Sequence, residues 1–88
     1  MRYEVRLSGR AAKDLDRLDR KTQLRIVNRL EQLSEAPGDP RISSALTNQG
    51  GFRKSRVGGW RIIFSLDEPS RILNVITIER RGQVYRRI

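Results

Sequence analysis

The stretch Gly51–Phe64, which reads GFRKSRVGGWRIIF, predicts a β-hairpin. Two strand-like runs meet at the glycines of positions 58–59, a dipeptide suited to the positive φ angles of a two-residue primed turn. A turn of this kind sets the register of the two strands, so that Val57 faces Trp60 across the hairpin. We expect the rest of the fold to be arranged around this hairpin.

The predicted register gathers cations on one face of the hairpin. Arg56 faces Arg61, and Lys54 joins them because side chains alternate along a strand. The other face is apolar and suits a core: Val57, Trp60, Ile62, Phe64 and Leu66. Like charges in direct opposition destabilise a sheet, so the three cations favour an anion-binding site. A solvated basic face is the alternative, and a slip of the register by one residue would scatter the cluster.

The composition indicates one small domain, residues 1–88, with a polyanionic partner. The chain has 19 Lys and Arg residues against 10 Asp and Glu, a formal net charge of +9. Such an excess predicts binding to nucleic acid, to a ribosome or to an acidic protein. A chain of this length has room for one modest core, since it buries only about 60–65% of its unfolded surface.

The chain contains no cysteine and no histidine. The first absence excludes disulfides and thiolate metal sites, and the second removes the commonest general base and metal ligand. Any catalysis must use Lys, Arg, Tyr, Ser or a carboxylate, and we expect no metal and no cofactor. No run is long and apolar enough to span a membrane and no signal peptide begins the chain, so we expect a cytoplasmic protein without a membrane partner.

The first half of the chain predicts a strand followed by two helices. Residues 2–7 alternate between charged and apolar side chains, as in a half-buried strand. Ser8 is a candidate N-cap for the first helix, a change of phase at Asp19–Thr22 marks a joint, and Pro37 must end the second helix. Helical spacing predicts these buried side chains: Ala11, Leu15 and Leu18, then Ile26, Val27, Leu30 and Leu33.

The second half predicts a loop, the hairpin and a final strand. Residues 36–51 are rich in Pro, Gly, Ser and Asn, and we expect a loop that contacts the core only through Ile42 and Leu46. Ile72–Ile78 is almost continuously apolar, which predicts a strand buried on both faces and central in its sheet. The fold class is therefore α+β: an N-terminal strand, a helical hairpin and a three-stranded antiparallel meander form one sheet, with the helices on one face.

The order of these elements and two short motifs resemble one family. The run RVGGWR at positions 56–61, and Arg81 followed by Tyr85, look like motifs of the RelE/ParE superfamily of bacterial toxins. The resemblance spans nearly the whole chain and implies a toxin that is neutralised by a cognate antitoxin. The chemistry of the residues favours the RelE-like branch. That branch implies a metal-independent endoribonuclease that cleaves messenger RNA in the ribosomal A site and so inhibits translation.

The resemblance also implies site residues by motif matching. The cleavage site would consist of Lys54, Arg56, Arg61, Arg81 and Tyr85, and further RNA binding would involve Arg53, Arg80 and Arg86. RNA can be cut without a metal when its own 2′-hydroxyl attacks the adjacent phosphate. This reaction needs a base, an acid and positive charge at the transition state. Arginine is almost always protonated, so the arginines act as clamps and Lys54 is the better candidate base.

Several roles have alternatives. Tyr85 can stack on an RNA base or pack on the sheet, and Arg81 can clamp a phosphate, protonate the leaving oxygen or be one more exposed cation. Glu79 stands where a small residue is common in the family, and we expect it to form a salt bridge with Arg80 or Arg81, a role as base being the alternative. The function of the whole protein has two alternatives to the endoribonuclease: a ParE-like inhibitor of DNA gyrase without nuclease activity, and a non-catalytic RNA-binding module.

Overall fold

Seven helices and strands form within residues 2–46 and 50–80, the parts of the chain that this computed structural model describes. In chain order they are β1 (Glu4–Leu7), α1 (Gly9–Asp16), α2 (Arg20–Glu35), β2 (Ser44–Ala45), β3 (Phe52–Val57), β4 (Trp60–Asp67) and β5 (Ile72–Arg80). The strands form one sheet in the order β1-β5-β4-β3-β2. β1 runs parallel to β5, and the other neighbouring pairs are antiparallel. The predicted α+β class is confirmed.

Side-chain caps begin both helices near the predicted positions. The Ser8 hydroxyl accepts a hydrogen bond from the Ala11 N–H at 2.9 Å, and so pairs one of the amides that a helix start leaves free. The Asp19 carboxylate accepts from a backbone N–H in the first turn of α2 at 3.3 Å. α2 ends at Glu35, just before Pro37. The predicted helical hairpin is therefore confirmed.

Both helices pack on one face of the sheet around an apolar cluster. Its buried members are Ala11, Ile26, Leu30, Leu33, Val57, Ile62, Phe64, Leu73, Val75 and Ile78. Leu15, Leu18, Ile42 and Trp60 pack against this cluster and are partly buried. The prediction that Val27 is buried is wrong, because this side chain is 39% exposed. The buried stripe of α2 runs along positions 26, 30 and 33 and leaves position 27 at its margin.

The β3–β4 hairpin has the predicted register. Val57 pairs with Trp60, and Arg56 pairs with Arg61. Of the two glycines in the turn, only Gly58 has a positive φ, which is 59°. This is the pattern of a type II′ turn, in which the first central residue alone has a positive φ. The turn therefore depends on one glycine of the pair.

A short edge strand lies within the segment predicted as a loop. Ser44–Ala45 pairs with Lys54 and Arg53 of β3, which adds a fifth strand to the sheet. A run of two residues has no periodic pattern of hydrophobicity, so the sequence offers no signal for it. The strand forms because the chain passes the edge of β3 at hydrogen-bonding distance.

β5 is central in the sheet, as predicted, since it lies between β1 and β4. The prediction that both of its faces are buried is wrong. Leu73 and Val75 are fully buried, whereas Ile72 and Ile76 are half-buried. The physical reason is that α1 and α2 cover the same face of the sheet, so the apolar residues of β5 that lie off this face are less well covered.

Hydrogen bonds to the Asp14 side chain connect α1 to the C-terminal part of β5. Pairing with β1 stops at Leu7 and Val75, so the backbone of β5 beyond that point needs another hydrogen-bond partner along this edge. Oδ2 of Asp14 accepts hydrogen bonds from the Ile78 N–H and from the Thr77 hydroxyl, both at 3.0 Å. This contact positions the last residues of β5, which carry part of the candidate site.

Replacement of Gly58 by alanine should destabilise the fold. We expect Gly58→Ala to lower the free energy of unfolding by about 1–2 kcal/mol, the cost of a left-handed backbone at a residue with a Cβ atom. The added Cβ would also lie 2.9 Å from Nη2 of Arg25, which would have to move aside. Urea denaturation followed by circular dichroism measures the effect.

The matched control is Gly59→Ala. A Cβ atom at Gly59 would meet nothing within 4 Å, and this residue is not in the left-handed region. We therefore expect a change well below that of Gly58→Ala. Equal losses for the two variants would show that the turn does not depend on the conformation of Gly58.

Candidate nucleic-acid interface

Three cations lie close together on the face of the sheet away from the helices. Arg56 on β3 is directly opposite Arg61 on β4. Lys54 lies two positions earlier in β3 and shares their face because side chains alternate along a strand. Arg56 is exposed, whereas Lys54 and Arg61 are half-buried. We call these three residues the cationic patch; the structure brings together these members of the predicted site.

A carboxylate lies beside the cationic patch. Glu79 on β5 is directly opposite Arg61 on β4, and its Oε2 accepts hydrogen bonds from Nε of Arg61, at 3.1 Å, and from Nη2. Only 17% of the Arg61 side chain and 18% of the Glu79 side chain are exposed. Arg56, Arg61 and Glu79 thus form a row across three strands. The carboxylate offsets the repulsion between the two opposed arginines.

A salt bridge forms at Glu79, and its partner among the described residues is Arg61. The expected pairing with Arg80 is wrong, and the alternative partner, Arg81, lies outside the described residues. Consecutive residues of a strand point to opposite faces, so Arg80 points away from Glu79. The guanidinium carbon of Arg80 instead lies 5.4 Å from the centre of the Trp60 ring.

The remaining candidate residues lie outside the cationic patch. Arg53 is on the helix side of β3, where it is half-buried and its Nε donates to the Ser43 hydroxyl at 2.8 Å. Arg80 is opposite Trp60 in the ladder and so belongs to the helix side as well. Arg81, Tyr85 and Arg86 are outside the described residues.

Arg29, which sequence reasoning did not single out, supports the patch from the helix layer. Its Nη1 donates to the Ser55 hydroxyl at 3.0 Å and to the Arg56 carbonyl oxygen at 2.7 Å. Its Nε donates to Oε1 of Gln32, one turn further along α2, at 2.9 Å. The guanidinium therefore holds β3 against α2. No local pattern predicts this contact, because the two elements meet only when the helix packs on the sheet.

Within residues 2–46 and 50–80, no metal-ligand cluster and no membrane-spanning helix is found. No three His, Cys, Asp or Glu side chains come together there in a group that could hold a metal ion. Neither α1 nor α2 is long and apolar enough to cross a membrane.

The sequence as a whole matches a known family. The model described as the ParE toxin of the type II toxin–antitoxin system parDE matches residues 5–85. This chain belongs to that family. It is therefore the toxin of a toxin–antitoxin pair. No curated protein matches the sequence.

Solved structures of RelE-type toxins share the fold of this ParE-family toxin. A chain of the RelBE2 toxin–antitoxin complex from Mycobacterium tuberculosis has 23% identity and a TM-score of 0.81, with 92% of this chain and 100% of that chain covered. A chain of the RelE–RelB complex from Pyrococcus horikoshii OT3 has 21% identity and a TM-score of 0.79, with 94% of this chain and 99% of that chain covered. The isolated RelE toxin of E. coli has 20% identity and a TM-score of 0.79, with 94% of this chain and 90% of that chain covered. At these identities the likeness shows a common RelE-like fold.

The ion pair between Arg61 and Glu79 should stabilise the toxin measurably. We expect Glu79→Gln to lower the free energy of unfolding by about 1–3 kcal/mol, because a mostly buried arginine loses a charged hydrogen-bond partner. The measurement is urea denaturation at neutral pH.

Glu35→Gln is the matched control. Glu35 lies 3.7 Å from Arg2 in an ion pair whose side chains are 65% and 61% exposed, and exposed pairs contribute little to stability. We expect almost no change for this variant. If Glu79→Gln were equally silent, Glu79 would not be an effective partner for Arg61.

Proposed function

We propose that this toxin is a ribosome-dependent endoribonuclease that cleaves messenger RNA in the A site without a metal ion. The observation that carries the proposal is the position of Lys54, Arg56 and Arg61 on one face of two paired strands. Cations fixed on a rigid sheet are suited to stabilising the extra negative charge of a phosphate under attack. The resemblance to RelE-like toxins implies the same activity.

The cleavage step assigns a proton transfer and a bond change to named groups. Neutral Lys54 takes the proton of the RNA 2′-hydroxyl, whose oxygen attacks the adjacent phosphorus. The bond from phosphorus to the 5′-oxygen breaks, leaving a 2′,3′-cyclic phosphate, and the departing oxygen takes a proton from an acid. Arg81 is the proposed acid or a further clamp, and Tyr85 is proposed to stack on a base.

Arg56 and Arg61 act in this mechanism as electrostatic clamps. A guanidinium that stays protonated near neutral pH cannot serve as a base, but its planar donors suit phosphate oxygens. Glu79 orients the Arg61 guanidinium through two hydrogen bonds to one oxygen, so that little rotational freedom is lost when the phosphate binds. The ribosome holds the message in the orientation that the reaction needs. Holding reacting groups in the right geometry can lower the free-energy barrier of a reaction greatly.

Loss of Arg61 should slow cleavage far more than it changes message binding. We expect Arg61→Ala to reduce the single-turnover rate at the A-site codon about 100-fold, since a positioned charge donor contributes about 3 kcal/mol to a transition state. Lys54→Met should reduce the rate by about 100-fold or more if the lysine is the base. The assay uses ribosomes programmed with a defined message.

Arg17→Ala, which removes an exposed arginine at the end of α1, is the charge-matched control and should cleave at the wild-type rate. Circular dichroism of each variant separates a lost clamp from a lost fold. Undiminished cleavage by both Lys54→Met and Arg61→Ala would remove the cationic patch from the mechanism. Intact messages and normal translation with the wild-type toxin would overturn the proposed activity itself.

The match to the ParE family model favours a second function, inhibition of DNA gyrase without nuclease activity. The pairing of Arg61 with Glu79 fits this alternative too, since it reduces the positive charge available to a phosphate. A supercoiling assay distinguishes the two functions. Trapped gyrase–DNA cleavage complexes together with intact messages would support the gyrase inhibitor.

The proposed partner that neutralises the toxin is a cognate antitoxin of acidic or amphipathic character. Support comes from the net charge of +9 and from the similar chains that occur in RelB–RelE complexes. Ribosomes and messenger RNA are the proposed targets, which places the toxin in the cytoplasm. Expression with and without a neighbouring small open reading frame tests the antitoxin: growth should stop only without it.

A further inference from the structure

A cavity opens at the edge of the sheet, beside the cationic patch. It has a volume of about 320 Å³ and lies between α2, the segment before β2 and strand β3. Within the described residues, β2 pairs with β3 through positions 44–45, and Lys54 and Arg56 line the cavity on the β3 side. We call it the edge pocket. The charged residues that line it are Arg29, Arg41, Lys54 and Arg56, and Ser44 is among its uncharged lining residues.

The edge pocket is strongly cationic. Of the eight described residues that line it, four are Lys or Arg and none is Asp or Glu. Asp39 lies behind one of them: its Oδ2 accepts from Nη2 of Arg41 at 2.9 Å, and its Oδ1 accepts from Nε at 3.1 Å. These hydrogen bonds hold the pKa of Asp39 below its usual value. Even with this carboxylate counted, the pocket has an excess of positive charge, which favours an anionic ligand.

Part of the pocket is held in position before any ligand binds. Arg29 is half-buried and its hydrogen bonds to Ser55, to the Arg56 carbonyl oxygen and to Gln32 restrict its guanidinium. A restrained guanidinium loses little side-chain entropy on binding and presents planar donors to phosphate oxygens. Ser44 is exposed at the rim, where its hydroxyl can donate another hydrogen bond.

The edge pocket is continuous with the cationic patch, because both contain Lys54 and Arg56. A strand whose one phosphate lies over the patch can place a neighbouring phosphate over the edge of β3. We propose that the edge pocket binds a backbone phosphate of single-stranded RNA, next to the phosphate that lies over the cationic patch. The choice of RNA as the strand rests on the function proposed above.

A charge placed at the rim tests this proposal. Ser44→Glu puts a carboxylate among the cations of the pocket, whereas Ser44→Gln adds a side chain of the same size without the charge. Binding of a short, labelled single-stranded RNA is measured by fluorescence anisotropy without ribosomes, over a range of salt concentrations. We expect Ser44→Glu to weaken binding about tenfold and to reduce the salt slope by about 0.7, the value for one lost phosphate contact on a single strand. Ser44→Gln should bind like the wild type.

A second pair of variants keeps the test valid if Ser44→Glu does not fold. Arg41→Gln removes a pocket cation whose side chain is 86% exposed. Arg17→Gln removes an exposed arginine at the C-terminal end of α1. This helix packs on β5, which is separated from β3 by β4. Arg41→Gln should reduce the salt slope, and Arg17→Gln should do so less or not at all. Equal binding by Ser44→Glu and Ser44→Gln, or equal slopes for the two arginine variants, would overturn the proposal.

Failure of the edge pocket and failure of the nuclease can be told apart. The wild-type toxin is assayed on programmed ribosomes alongside the binding experiment. If the message stays intact while Ser44→Glu still weakens RNA binding, the pocket is supported and the nuclease is not. If the message is cut while the two Ser44 variants bind RNA equally, the nuclease is supported and the pocket is not.

Discussion

The register of the β3–β4 hairpin is the constraint on which the candidate site depends. The left-handed conformation of Gly58 fixes the turn, and the turn places Arg56 directly opposite Arg61. Two opposed cations repel each other, so this arrangement costs free energy unless a negative charge lies nearby. Among the described residues, that charge comes from Glu79 on the neighbouring strand β5, directly opposite Arg61. With RNA bound, a phosphate would add to it.

The two helices hold strands β3 and β5, which flank β4, in position through side-chain hydrogen bonds to the strand backbones. Asp14 on α1 pairs with the backbone of β5 close to Glu79, and Arg29 on α2 pairs with the backbone of β3 at Arg56. Each contact joins a helix to the end of a strand that carries a charged member of the site. Side chains mounted on strands braced in this way keep their mutual positions, which electrostatic catalysis requires. Arg29 also lines the edge pocket.

Much of the architecture could be predicted because its signals are local. The alternation along the hairpin predicted the shared face of Lys54, Arg56 and Arg61, and Ser8 marked the start of α1. Predictions failed where an outcome depended on distant parts of the chain. Glu79 formed its salt bridge with Arg61 of the neighbouring strand rather than with Arg80, the next residue in sequence. The apolar run in β5 indicated a buried strand, but the helices cover one face only.

By itself, then, the sequence determined the turn, the register and the sign of the charge on the exposed face, because each follows from the conformational preferences of a few consecutive residues. The tertiary structure alone decided which carboxylate balances Arg61, which helix residue braces β3, and that a cavity lined by Arg29 and Arg41 opens at the edge of the sheet. These features join residues that are far apart in the chain. Their distances are set only when the helices pack on the sheet, and no local pattern of residues encodes them.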